Sequence, residues 1–315
     1  MEDNRILVSI KCLVYNHEPY LRQCLEGFVM QKTNFRFEVV VHDDASTDGS
    51  TVIIREYAEK YPDIIKPIYE IENQYSKRDG SLVRIMNAAC KGKYIAMCEG
   101  DDYWIDPLKL QKQIDFLEAH PDYLLCGTNG LVLWDGGLQA PEYFNRNFTN
   151  RELHPEDVIG KWSFPTASLV FRHNLLELTN GFKCVTYNGD IRIILVALAN
   201  GRIWSLADVT VVYRKNSNPN SSTNRVAAKK DHSAFHLEQM LKIYLAYNEY
   251  TSRKYSNLTN PLISQYTRLI KVIKCRKNIG VLALLMHPLI SFKFTIKIRL
   301  QDLMKRCVYR ICKFC

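Results

Sequence analysis

Two kinds of hydrophobic pattern alternate along the first two thirds of the chain. Near-continuous β-prone runs at Ile6–Tyr15 (ILVSIKCLVY), Phe37–Val41, Ile64–Tyr69 and Tyr94–Cys98 read as strands covered on both faces. Between them apolar residues recur at helical spacing: Leu21, Leu25, Phe28 and Val29, then Val52, Ile53, Tyr57 and Ala58, then the short stretch Leu82–Cys90. Asn16 stands where a helix cap belongs, with Pro19 in the first turn. Leu108–Leu117 reads as a further helix, stopped by His120-Pro121-Asp122, and Tyr123–Leu133 as strand. After Trp134 the pattern loosens and residues 135–150 read as loop. Thr166–Arg172 is strand-like, Asp190 opens a helix over Ile191–Ala199, and Arg202–Leu206 with Val209–Tyr213 predict a final pair of strands. Lys215–Asn224 is rich in Ser, Asn and Pro and reads as a loop suited to closing over a bound ligand; beyond it the chain is mainly helical.

Strands alternating with helices predict an α/β fold with a mostly parallel central sheet flanked by helices. The expected division is an α/β domain over residues 1–225 and a helical extension over 226–315. Such sheets bind ligands beyond the carboxyl ends of their strands. Three polar clusters fall there: Tyr15-Asn16, Asp43-Asp44 and Glu99-Gly100-Asp101-Asp102. Carboxylates crowded at a strand end repel one another unless a cation, a ligand or backbone donors offset them. Asp101 and Asp102 suit a hard divalent cation (Mg²⁺ or Mn²⁺) whose other ligands come from a diphosphate, or else a capping pair on a tight turn. Asp43 and Asp44 could accept from a base N–H or a ribose hydroxyl, or serve an ordinary turn. Tyr15 could stack on a base or simply pack. Asp190, in the first turn of its helix, could cap the helix, take a proton from a hydroxyl, or do both.

The overall charge of +9 is unevenly distributed. Residues 251–315 hold 14 Lys+Arg against the single acid Asp302, while residues 1–250 hold 28 basic and 32 acidic residues. The basic tail calls for an anionic partner. From Leu300 the apolar positions Leu303, Met304, Cys307, Val308, Ile311, Cys312 and Cys315 make a helical stripe, with Lys305, Arg306, Arg310 and Lys313 off it. That pattern fits a helix lying in an anionic membrane surface, or one packed on the body; Val281–Phe292 is too short to span a bilayer. The apolar stripe speaks against nucleic acid as the tail's partner. The N-terminus leads straight into a strand and the ten cysteines are scattered along the chain, so the expectation is reduced thiols in the cytoplasm, peripheral at the inner membrane face. There is no GxGxxG, GxxxxGK[ST], GxSxG or HExxH stretch, which removes dinucleotide, P-loop, serine-hydrolase and zincin chemistry. His17, His42 and His232 are scattered and read as polar surface or outer support, and Glu99 as a structural acid.

In this order, Val8-Ser9-Ile10 with Tyr15-Asn16, Val39–Ser50 (VVVHDDASTDGS), Gly92–Ala96, Glu99–Trp104 (EGDDYW) and Asp106–Leu110 resemble the family 2 glycosyltransferases with the GT-A fold. The resemblance spans roughly residues 5–215. It implies an inverting transfer of a sugar from a nucleotide-diphosphate donor, UDP-linked, to a hydroxyl of a glycan or lipid-linked acceptor in cell-surface polysaccharide synthesis. It also implies roles by position. Tyr15 and Asp44 would hold the base, Asp101 the ribose or donor sugar, Asp102 the divalent metal beneath the diphosphate, and Asp190 would be the base. Here Gly189-Asp190 replaces the common Glu-Asp, and Tyr75 follows Glu72-Asn73-Gln74 where Gly is common, leaving Arg78 and Arg84 as candidates for the diphosphate. A sugar nucleotidyltransferase, a metal-dependent phosphohydrolase, and a non-catalytic membrane- or carbohydrate-binding protein are the alternatives.

Overall fold

The computed structural model describes residues 5–134, 140–184, 189–215 and 232–274. Strand β1 (Ile6–Val14) is followed by helix α1 (Glu18–Val29), β2 (Arg36–Asp43), α2 (Ser50–Lys60) and β3 (Ile65–Tyr69). Two short helices, α3 (Gln74–Lys77) and α4 (Ser81–Ala89), lead to β4 (Tyr94–Met97), β5 (Tyr103–Trp104), α5 (Lys109–Ala119) and the long β6 (Tyr123–Trp134). Then come β7 (Glu142–Tyr143), β8 (Arg151–Leu153), α6 (Pro155–Val158), β9 (Val170–Arg172), α7 (Asn174–Leu178), α8 (Gly189–Asn200) and β10 (Arg202–Lys215).

The strands form one mixed sheet in the order β3-β2-β1-β4-β9-β6-β10-β5, with β7 beside β6 and β8 beside β10. Most paired residues lie in parallel ladders, β3–β2–β1–β4 and β6–β10. The antiparallel ladders through β5, β7, β8 and β9 are two or three residues each. The expected pair of strands at 202–213 is instead one strand, because its pairing with β6 continues through register shifts at Leu206/Val209 and Val209/Val211. Bulges of this kind bend a strand without ending it. At 166–172 only Val170–Arg172 is strand; Thr166–Ser168 is a 3₁₀ turn.

The valine- and isoleucine-rich strands are covered on both faces. Val8, Ile10, Cys12 and Val14 alternate toward one core, shared with Leu21, Leu25 and Phe28 of α1, Ile53 and Ile54 of α2, and Leu110, Ile114 and Leu117 of α5. Each fully buried leucine or phenylalanine there contributes about 1.5–3 kcal/mol. The opposite face packs Val40, Ile95, Leu125 and Phe171 against α4 and α8. Two further helices, His232–Tyr250 and Ser256–Lys274, join that second core through Met240, Ile243, Tyr244, Tyr247, Tyr255 and Tyr266. The Tyr244 hydroxyl accepts the Gly160 N–H at 2.8 Å and the Tyr255 hydroxyl donates to the Leu198 carbonyl at 3.3 Å. The described part of the extension therefore packs as core, while the stripe from Leu300 and the loop after Lys215 lie outside the described residues. Among the described residues no helix is long and apolar enough to cross a membrane, and the six described cysteines are free thiols.

The connectivity fixes where a ligand can go. From β1 the chain steps outward to β2 and β3, then returns to place β4 on the other side of β1. The order reverses between β1 and β4, and a crevice opens beyond the carboxyl ends of strands that diverge in this way.

Candidate active site

The acidic stretch after β4 is held on that crevice by backbone bonds to β1. Cys98 N–H donates to the Lys11 carbonyl and Gly100 N–H to the Leu13 carbonyl, while Asp102 N–H closes the turn on the Glu99 carbonyl at 3.0 Å. Gly100 is required by contact: a Cβ there would sit 2.8 Å from His17 Nδ1 and 3.0 Å from Val14 Cγ2. Beyond the turn, Tyr103 and Trp104 pair with Val212 and Val211 of β10. Trp104 is buried, donates its indole N–H to the Ala167 carbonyl at 3.0 Å, and takes Phe28 edge-on and the Lys109 ammonium over its ring.

This clamp carries Arg214 to the acids. Its backbone N–H donates to Asp102 Oδ1 at 2.8 Å, and its guanidinium donates to the Asp101 carbonyl at 2.9 Å and to Gln23 Oε1 at 2.8 Å. The guanidinium lies over the rings of Tyr20 and Tyr103. Asp102 is only 3% exposed. Burial, then the neighbouring Asp101, push its carboxyl well above the usual carboxylate range, and the Arg214 backbone N–H opposes that only in part. Glu99 differs: its side chain is exposed, yet surrounding protein, Asp101 and Asp190 push it up to about 8.

The β1 and β2 loops are stitched together beside it. Asn16, at φ 56°, accepts the Thr47 N–H on Oδ1 at 2.7 Å, and its own N–H donates to Ser46 Oγ. The His17 N–H donates to Ser50 Oγ, and Glu18 and Asp48 exchange carboxylate bonds with backbone N–H groups across the loops. This places Tyr15 half-buried at the end of β1. The His17 ring is buried against Asp101, with Nε2 4.0 Å from Oδ2 and Nδ1 without a hydrogen-bond partner among the described residues. Burial lowers its pKa, against the pull of Asp101 and Asp48.

Asp44 is buried, and its carboxylate accepts the backbone N–H groups of Gln74 at 2.6 Å and Tyr75 at 3.0 Å. It thus docks α3 on the end of β2, and any further donor must share oxygens that are already bonded. Asp43 is likewise engaged by Ser46 N–H and the Thr51 hydroxyl. Arg78, in the left-handed region at φ 54°, and Arg84 are both exposed, and Arg84 donates to the Asp79 carbonyl at 2.7 Å. The arginine lying on the acidic turn is Arg214, which sequence reasoning missed.

Asp190 lies in the first turn of α8, and its charge bears on that of Glu99. Thr166 donates to its Oδ2 at 3.2 Å. Burial raises its pKa, while Ile191 N–H, Thr166 and the Trp162 side chain favour the charged form. Glu99 feels the charge of both Asp101 and Asp190, so the acidic turn and the start of α8 lie near one another, though 91 residues separate Glu99 from Asp190 in sequence.

Among the described residues no three metal-ligating side chains form a closed cation site. Asp102 nevertheless fits a metal that is completed by a ligand: one oxygen is fixed by Arg214 N–H, and a buried, charge-crowded carboxylate gains from a cation.

A mixed α/β sheet with acids beyond the carboxyl ends of its parallel strands is what the geometry shows, and the comparisons give its class. The model of the glycosyl transferase family 2 matches residues 9–177, more than half of the chain, and the chain belongs to that family. An uncharacterized protein of Mycobacterium tuberculosis is 38% identical over 165 residues, covering 52% of this chain and 46% of that protein. The chain thus spans about half the length of the curated relatives it matches. S. aureus TarS, solved with UDP-GlcNAc, superposes with a TM-score of 0.62 at 19% identity, over 83% of this chain and 72% of that one. The mannosyltransferase PcManGT of Pyrobaculum calidifontis, solved with GDP-Man and Mn²⁺, gives 0.53 at 19% identity, over 90% and 79%. These likenesses establish the fold as GT-A.

Proposed function

We propose that the chain transfers a sugar from a nucleoside-diphosphate donor, UDP-linked, to a hydroxyl of a glycan or lipid-linked acceptor, with inversion at the anomeric carbon. The observation that supports this reading is that Glu99, on the acidic turn, feels the charge of both Asp101 and Asp190. On this reading the Asp101-Asp102 carboxylates face the donor diphosphate and Asp190 faces the acceptor. Tyr15 and Asp44 line the base end, Asp101 the ribose or donor sugar, and Arg78 or Arg84 approaches the diphosphate from the α3–α4 side. Arg214 holds the acidic turn in shape. Asp102 would hold a divalent cation, Mn²⁺ or Mg²⁺, which when bound offsets charge developing on the leaving diphosphate. That PcManGT was solved with GDP-Man and Mn²⁺ supports a divalent cation as the bound metal.

Asp190 takes the proton from the acceptor hydroxyl as its oxygen bonds to the anomeric carbon and the bond to the diphosphate breaks. A single displacement requires one base and no second carboxylate acting as nucleophile. Burial that raises the pKa of Asp190 makes it a stronger proton acceptor once ionised. The basic tail beyond residue 274 is proposed to rest on an anionic, cytoplasmic membrane surface, where lipid-linked acceptors for cell-surface polysaccharides would be met. Incubation with a panel of nucleotide sugars and Mn²⁺, followed by assay of released nucleotide, tests the reading. Nucleotide release from one or more donors is expected, and its absence across the panel would refute the proposal. Formation of free sugar 1-phosphate would instead mark a phosphohydrolase or nucleotidyltransferase.

A further inference from the structure

An aromatic wall rises beside Asp190. Trp162 is 45% exposed, and its ring meets Phe144 at 4.8 Å and Tyr213 at 5.3 Å, both edge-to-face. The same side chain acts on the Asp190 carboxylate. Its backing is built by strand register. β6 and β10 run parallel with Tyr213 opposite Val132 and Lys215 opposite Trp134, and Glu142 of β7 also opposes Val132. Alternation along β10 sends Arg214 to the acidic turn and Tyr213 the other way, onto Trp162.

The half-exposed indole adjoins the proposed base. A pyranose ring has one face of axial C–H groups and a rim of hydroxyls. It can lie on an aromatic face while a rim hydroxyl reaches a carboxylate. A phosphate-bearing acceptor would want surplus positive charge here. Of the nearby cations, Lys215 lies 4.1 Å from the Trp134 ring centroid and feels the charge of Glu142, and Lys161, next to Trp162 in the chain, acts on Asp157.

Building on the reading of Asp190 as the base, we propose that Trp162, braced by Phe144 and Tyr213, is the platform on which an uncharged saccharide ring of the acceptor stacks.

Saturation-transfer NMR tests this with methyl glycosides of glucose, galactose and N-acetylglucosamine, and with glycerol 3-phosphate as an anionic probe without a ring. In the wild type, saturation from aromatic protons should reach the axial protons of one ring face in at least one glycoside. Trp162→Ala should weaken that binding about tenfold, and Trp162→Phe, which keeps a ring but not the N–H, should restore most of it. No glycoside binding, binding equal in the wild type and Trp162→Ala, or tighter binding of glycerol 3-phosphate would each overturn the platform. The wild-type epitope map stands even if Trp162→Ala fails to fold. Hydrolysis of UDP-sugars by the wild type is scored separately: its absence would sink the transferase reading, whereas the glycoside measurement alone decides the platform.

Discussion

Replacing Asp190 by asparagine separates chemistry from folding. The change keeps the size of the side chain and one oxygen able to accept from Thr166, now at 3.2 Å. It removes the charge and the capacity to take a proton. General-base catalysis is worth about 10²–10⁴-fold, so turnover should fall by that factor, equivalent to roughly 2.7–5.5 kcal/mol in the barrier. Donor affinity should hold, because on the proposed reading Asp190 serves the acceptor and not the donor. Stability should move the opposite way. Burial raises the carboxyl pKa of Asp190 above its unfolded value. The native state then binds more protons than the unfolded chain in the window just above pH 3.8. Stability contributed by this group is present below that window and lost as pH rises through it. At neutral pH the buried charge is a net cost that asparagine removes, so the variant should unfold at the same urea concentration as wild type or a higher one.

The assay pairs single-turnover transfer with donor titration by calorimetry and urea unfolding on the same preparation. In the wild type the acidic limb of kcat/KM should fall above pH 3.8, in the direction set by burial, and it should vanish from the residual activity of Asp190→Asn. A variant that folds and still turns over within tenfold of wild type would refute the assignment of Asp190 as base. So would one whose loss lies wholly in donor binding.

Three further outcomes follow from the geometry. Asp102→Asn should abolish the Mn²⁺ dependence of donor binding in calorimetry, and unchanged metal dependence would remove Asp102 from the metal role. Gly92→Ala should destabilise by more than about 2 kcal/mol in urea unfolding, because its Cβ would sit 2.4 Å from Ser9 N and 2.6 Å from Val8 C, both backbone; a loss under 0.5 kcal/mol would contradict that packing. Lys109 is fully buried, and burial depresses its pKa to about 7. The unfolded chain then binds the extra proton between about 7 and 10.5, and wild-type stability rises with pH across that range. Lys109→Met should accordingly compare better with wild type at pH 6 than at pH 9, by on the order of 1–3 kcal/mol after the loss of its bond to Gln113 Oε1. Equal differences at the two pH values would show that the amine does not titrate in the fold.

The acidic turn and the strand-end clusters were legible in the sequence because each property that identifies them is local. A run such as Tyr94–Met97 announces a buried strand, and Asp101-Asp102 follows within five residues, so placement at the ligand edge needs only the rule that parallel strands bind beyond their carboxyl ends. Asp190 was legible for the same reason, as an acid in the first turn of a periodic helix. The division of β10 into two strands failed because Ala207-Asp208 interrupts the hydrophobic pattern, while ladder pairing with β6 carries the strand across it. In that interruption Asp208 instead takes the Lys112 ammonium at 2.5 Å. Asp44 shows a different limit. Its position was foreseen, but its oxygens proved to be bonded to N–H groups of residues 74 and 75, which no composition reveals.

Arg214 and Trp162 escaped notice, and His17 was read as polar surface or outer support, for a common physical reason: what brings each beside the acids is a partner far away in sequence. Arg214 serves Asp102 through its backbone N–H, 112 residues along the chain, so its identity as arginine did not advertise the contact. His17 looked like loop surface until Gly100, by lacking a Cβ, let its ring settle beside Asp101. Trp162 sits in irregular chain between α6 and β9, and only the register of β10 against β6 brings Tyr213 onto it. On the proposed reading, residues that bind the shared part of a donor sit at strand ends, where the fold repeats itself and pattern suffices, and residues that shape the acceptor side sit where long-range pairing delivers them. Acceptor choice in this chain should therefore follow substitutions at Trp162, Phe144 and Tyr213 more closely than any change in the acidic turn.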